Sequence, residues 1–164
     1  MAGHTKAEKD ALELLEEAWD GELPVDPVRI AKKLGLEVLD APLKQDASGA
    51  LVKREKETDP TIFLNAKDSR TRKRFTCAHE LGHYILRSKE PTPQYEYVDY
   101  RDQTSSTGTI EEERYANSFA ASLLMPEVAV RALREEGLSQ LRLAKKFGVS
   151  PEAMAIRLDN LRLS

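Results

Sequence analysis

The sequence has one cysteine and three histidines among 164 residues, and no apolar run approaches the roughly 20 residues that a membrane-spanning helix needs. A lone cysteine excludes an intramolecular disulfide and suits a reducing compartment. The opening Met1-Ala2-Gly3-His4-Thr5-Lys6-Ala7-Glu8 lacks the apolar core of a signal peptide, so a cytoplasmic location is expected. Charge of one sign is also missing. Lys and Arg number 25 against 28 Asp and Glu, a formal −3, which gives no global reason to expect nucleic-acid binding. There is no internal repeat and no low-complexity block. What remains, 40% hydrophobic and 32% charged, describes an ordinary soluble globular protein, one domain or a domain with a small appendage.

Two of the three histidines fall in one stretch, Phe75-Thr76-Cys77-Ala78-His79-Glu80-Leu81-Gly82-His83-Tyr84-Ile85-Leu86. Residues four apart share a helix face, so His79 and His83 can converge on one metal ion. Glu80, one step round, can reach water bound to that ion. This is the HExxH arrangement of metallopeptidases. Cys77 lies about 200° round the helix from His79 and cannot share the metal face, so a buried inert thiol is expected. Gly82 costs about 1 kcal/mol relative to alanine inside a helix, which implies that another element packs closely there.

Around this stretch the chain reads as helices and short strands. Ala7 to Trp19 is amphipathic through Leu12, Leu15 and Trp19. Asp26-Pro27 opens a second helix as cap and first helical residue, and Gly35 stops it. Leu36–Leu39, Ser48–Lys53 and Thr61–Asn65 are strand candidates joined as a meander or hairpin, with the mixed charges after Lys53 at a solvated tip. Asp68 or Ser69 caps the HExxH helix, whose basic first turns suit a solvated, ion-paired face better than a nucleic-acid site. Residues 87–109 carry Pro91, Pro93 and three tyrosines without periodicity. Pro91 to Tyr100 suits a strand or a lid, and Tyr95, Tyr97 and Tyr100 are the nearest candidates for an oxyanion-stabilising hydroxyl, though packing is the commoner use of such rings. Ile110 to Leu124 is helical, Glu127 to Glu136 is a short helix, and Leu138–Phe147 with Pro151–Leu161 form a helix-turn-helix-like tail. That tail has a net +3, but its second helix begins Pro151-Glu152-Ala153-Met154-Ala155, poor equipment for bases or phosphates, so a structural cap is expected.

A catalytic zinc keeps three protein ligands and an open fourth position. His4 sits in a terminus expected to fray, which leaves a carboxylate as the third ligand. Glu111-Glu112-Glu113 offers three, equal on charge alone and unremarkable at a helix start. Glu113 is preferred because Asn117, four residues on, shares its face and can hold a ligand as an outer partner.

His79-Glu80-Leu81-Gly82-His83, followed by Glu113-x-x-Ala116-Asn117-x-Phe119-Ala120-Ala121-x-Leu123-Leu124-Met125-Pro126, resembles the ImmA/IrrE family of bacterial and phage metallopeptidases. The preceding order of elements and the tail Leu143-Ala144-Lys145-Lys146-Phe147-Gly148-Val149-Ser150 are similar as well. The resemblance implies zinc (manganese as the alternative) held by His79, His83 and Glu113, with Glu80 as the catalytic carboxylate. It implies cleavage of a helix-turn-helix repressor of a mobile element or stress response. The expected fold is α+β: a small antiparallel or mixed sheet of about three strands against the HExxH helix, and a mostly helical second half. A metallopeptidase-like domain over 1–126 and a helical subdomain over 127–164 are expected. The rival is a non-catalytic zinc-containing module that binds a repressor or DNA; the intact Glu80 argues against it, since a structural metal needs no carboxylate there.

Overall fold

The computed structural model describes residues 3–44, 47–54, 59–90 and 109–164 with their side chains, and 97–102 as backbone. Among them lie α1 (Lys6–Ala18), α2 (Pro27–Lys33), β1 (Glu37–Ala41), β2 (Ala47–Lys53), β3 (Thr61–Asn65) and α3 (Arg70–Ser88). β4 (Tyr97–Asp102), α4 (Ile110–Leu124), α5 (Glu127–Glu135), α6 (Gln140–Phe147) and α7 (Pro151–Asn160) complete the described elements. The fold is α+β.

The helix ends follow from side chains that satisfy otherwise orphaned backbone donors. Thr5 and Glu8 form a capping box on α1. That firm start holds His4 as well: instead of fraying, it lies 3.2 Å from the Glu127 carboxylate at the start of α5. Asp26 accepts from the N–H groups of Val28 and Arg29, and Pro27 follows in the first turn. Ser69, rather than Asp68, caps α3 by accepting from Arg72 N–H. Thr109, Ser139 and Ser150 do the same for α4, α6 and α7.

The sheet has the order β1-β3-β2-β4, one strand more than expected. β2 and β3 pair antiparallel as a hairpin. β1, however, runs parallel to β3 on its far side, so the three strands are not a meander. Burial explains the order. β1 carries Glu37 and Asp40 and is largely exposed, which suits an edge. β2 is buried from Ala47 to Val52 and lies between β3 and β4. β4 supplies the extra strand out of the aperiodic segment. Tyr95 and the side chains of Tyr97 and Tyr100 lie outside the described residues, as do the charged tip after Arg54 and the remainder of the lid reading.

α3 covers β2 and β3, α4 packs on α3, and α1 packs on α4. One core cluster joins them, from Leu14 and Ile30 through Leu51, Ile62 and Leu81 to Phe119, Leu143 and Leu158. Gly82 gives α4 its close approach: a Cβ there would meet the Phe119 ring and Cβ at 3.0–3.2 Å. Three basic side chains of the first turns of α3 are engaged within the chain. Arg72 bonds the Ser48 hydroxyl at 2.9 Å, Lys73 pairs with Asp40 at 3.1 Å, and Arg74 donates to the carbonyls of Val25, Phe147 and Gly148. Arg74 thereby fastens the α6–α7 turn to α3. None of the described helices is long and apolar enough to cross a membrane.

Candidate metal centre

The i, i+4 spacing on α3 brings His79 and His83 onto one face, ring centroids 4.9 Å apart and 72° from parallel. Both are buried, at 1% and 4% exposure, in the seam where α4 crosses α3. Of the three successive glutamates on α4, it is Glu113 whose carboxylate enters this seam. Its Oε2 lies 3.2 Å from His79 Nε2 and its Oε1 lies 2.9 Å from His83 Nε2. Glu111 faces solvent. One ligand atom from each of the three residues falls within 4.8 Å of the others.

Whether this trio fits a metal is a question of size and donor type. Ligands about 2.0–2.1 Å from a tetrahedral ion stand about 3.3 Å from one another. Separations of 3.2 and 2.9 Å need only small adjustments to admit an ion, and two imidazoles with a carboxylate suit a divalent cation with an open position. Hydrogen bonding from His79, aided by the charge of both rings, holds the Glu113 carboxyl below its usual range despite partial burial, so it is ionised at neutral pH.

Asn117, one turn further along α4, fixes the imidazole of His79. Its Oδ1 lies 2.9 Å from His79 Nδ1, and an amide oxygen only accepts, so Nδ1 carries the proton. With Nδ1 held in this way, Nε2 is the ring nitrogen that an ion between the rings and Glu113 would take, in place of its present contact with the carboxylate.

Glu80 is 1% exposed and sits next to His79 without joining the three converging atoms. Gly49 on β2, a residue that no sequence motif marks, shapes the space beside it. A Cβ on Gly49 would collide with Thr76 Cγ2 and with the carbonyl oxygen of Phe63 at 2.9 Å, and would lie 3.8 Å from Glu80 Cγ. The sheet can press against α3 at Thr76, one turn before Glu80, only because that Cβ is missing. A glycine inside a strand pattern was the available signal. Cys77 plays no such part: burial pushes its thiol up to about 12, which leaves it protonated and inert.

The arrangement therefore offers a nitrogen–nitrogen–oxygen cradle for a cation beside a buried carboxylate that stays outside it. Comparisons with known proteins meet this geometry from another direction. A transcriptional regulator from Mycobacterium tuberculosis shares the fold at a TM-score of 0.62 and 17% identity, over 95% of this chain. The chain spans 47% of that protein's length. Among curated proteins no match was found. The family model described as the IrrE N-terminal-like domain, Peptidase_M78, matches residues 31–159, which include His79, Glu80, His83, Glu113 and Asn117. By that match over most of its length, the chain belongs to the IrrE N-terminal-like, Peptidase_M78 family.

Proposed function

We propose that the protein is a zinc-dependent endopeptidase and that its substrate is a DNA-binding repressor with a helix-turn-helix domain. The observation that carries the reading is Glu80: a carboxylate buried beside, and not among, the three atoms that converge on the candidate metal position. A purely structural cation site has no use for a buried acid at that place. His79, His83 and Glu113 are the residues that would hold the ion, with Asn117 orienting His79.

A bound divalent cation would supply Lewis-acid polarisation of the scissile carbonyl and an acidified water. The chain's own part is proton traffic and positioning. Glu80 takes the proton of the attacking water and returns it to the departing amine, which requires that it remain free of the metal. β4 has no strand partner on its outer edge among the described residues, and its Arg101 stands opposite Gly49, the residue beside Glu80. An extended peptide added along that edge would be led past the glutamate. A substrate bound as a strand is a backbone ligand, in keeping with cleavage of a protein segment.

A repressor as target follows from the family resemblance, and the Mycobacterium tuberculosis protein of similar fold is itself a transcriptional regulator. The module-only alternative, with DNA as the ligand, has less to work with: Arg157 of α7 is buried, and Arg72, Lys73 and Arg74 are engaged within the chain. The decisive experiment incubates the metal-loaded protein with helix-turn-helix repressors of its own organism, with and without chelator. Cleavage that stops with chelator is expected. Glu80→Gln should retain the metal and cut about 10²–10⁴-fold more slowly. Undiminished cleavage by that variant would remove Glu80 from the mechanism, and repressor binding without any cleavage would favour the module.

A further inference from the structure

A second concavity lies away from the metal centre, in the trough between α1 and α5. It encloses about 420 Å³, within the roughly 300–1,000 Å³ usual for small-molecule sites. Its walls are mostly apolar: Leu12 and Leu15 from α1, with Trp19 just after it, face Val128, Ala129 and Ala132 from α5. Leu12 is 47% exposed and Val128 79%, so the trough opens to solvent.

Two buried polar residues line it, Ser122 and Arg157, and in neither does the protein fill the full hydrogen-bonding capacity. Ser122 is 6% exposed, and its hydroxyl makes no hydrogen bond. Arg157 is 7% exposed, and its Nε donates to Met125 O at 3.0 Å. Its terminal nitrogens make no hydrogen bond or ion pair with any described residue. The paired N–H donors at the end of the guanidinium are thus left for a ligand of the trough to take. Burial depresses the Arg157 pKa, an effect that the charges of Glu127 and Glu8 offset only in part.

We propose that this trough binds a small amphipathic monocarboxylate. The carboxylate would meet the fork of Arg157 and the Ser122 hydroxyl, and the hydrocarbon body would lie between α1 and α5. The planar guanidinium selects a carboxylate over a neutral head, because it presents paired N–H donors to paired oxygens. The rim limits the head to one charge. Glu127 is already matched by Arg131 and His4, but Glu8 and Glu16 also line the trough and repel a polyanion. The site is independent of the peptidase reading; Ser122 merely shares α4 with Glu113, about 13 Å further along the axis.

Trp19 is the only tryptophan and lies in the wall, so its emission reports occupancy directly. The metal-loaded protein is titrated with octanoate and, separately, with 1-octanol. The expected result is a saturable change in emission, with octanoate bound about tenfold or more tightly than octanol. Arg157→Gln should bring the two affinities together, and Ala132→Phe, which fills the trough from its exposed side, should abolish both. Circular dichroism checks that each variant is folded; if Arg157→Gln is not, the octanoate preference of the wild type and the Ala132→Phe block still decide. No saturable change, equal affinity of the wild type for acid and alcohol, or binding undisturbed by Ala132→Phe would each overturn the proposal. A wild-type dimer that Ala132→Phe makes monomeric, with no octanoate bound, would overturn it in favour of a second copy of the chain as the occupant.

Discussion

Asn117 touches no candidate metal atom, yet the tautomer of His79 depends on it. Replacing it by alanine removes the acceptor at Nδ1 and lets the ring protonate at Nε2, the atom that the ion needs. Asn117→Ala is expected to weaken metal binding about 10–100-fold, measured by competition with a chelator, while the protein stays folded. His79→Ala should lose the metal altogether. The two glycines near the site make a second expectation. At Gly82 the obstacle is the Phe119 side chain, which has some freedom to yield; at Gly49 it includes the Phe63 backbone. Gly82→Ala should cost about 1–3 kcal/mol in denaturant unfolding and Gly49→Ala at least as much. At this scale the sequence was legible where partners lie on the same helix: His79 with His83, and Glu113 with Asn117. That Gly82 needed a close neighbour was also readable from its helical cost. The identity of Phe119 and the importance of Gly49 were not, because each depends on a contact between elements far apart in the chain.

Between elements, a polar tie away from the candidate metal centre joins α1, α3 and α4. Asp10 on α1 is 7% exposed and accepts from Lys89 at the end of α3 at 2.7 Å and from Tyr115 on α4 at 2.6 Å. Burial alone would push the Asp10 carboxyl up, but the hydrogen bonds from Lys89 and Tyr115 outweigh it and leave it depressed. A depressed carboxyl stabilises the fold above its unfolded value, about 3.9, and loses that contribution as pH falls through the lower folded value. The same hydrogen bond raises Lys89, whose contribution is complete below about 10.4 and fades as pH climbs through the folded value. Lys89 is 40% exposed, so water screens much of its share and the carboxylate carries the clamp. Asp10→Asn should therefore destabilise by about 1.5–3 kcal/mol between pH 5 and 9. The gap from wild type should narrow below about pH 4 and again above about pH 10. A gap independent of pH would assign the tie to packing instead. Element ends were readable, since Asp26, Ser69 and Ser150 are caps that act within their own turn. The parallel placement of β1 was not, because it is decided by which strand the other elements bury.

For the whole molecule, the question is how far the fold would depend on an ion at the candidate metal centre. His79, His83 and Glu113 already contact one another, and the core cluster runs from α1 through the sheet to α7 without passing through them. Arg74, bound to three carbonyls, and Arg157, bound to Met125 O, tie the tail to the rest independently of the centre. Such a protein differs from a zinc finger, which has no core without its metal. Chelation should leave the secondary structure intact by circular dichroism and remove only the linkage contribution of the ion. At free metal one hundred times the dissociation constant that contribution is about 2.7 kcal/mol, a fall in Tm of about 5–10 °C for a chain of this size. Arg74→Met should produce a loss of about 1.5–3 kcal/mol with metal affinity unchanged, because it frees the α6–α7 turn and leaves its carbonyls unmatched. Chelator and variant effects that simply add would show the centre and the tail to be separate supports of one fold. Unfolding on chelation alone would show instead that the two glutamate–histidine contacts are too weak to hold α3 and α4 together without the ion.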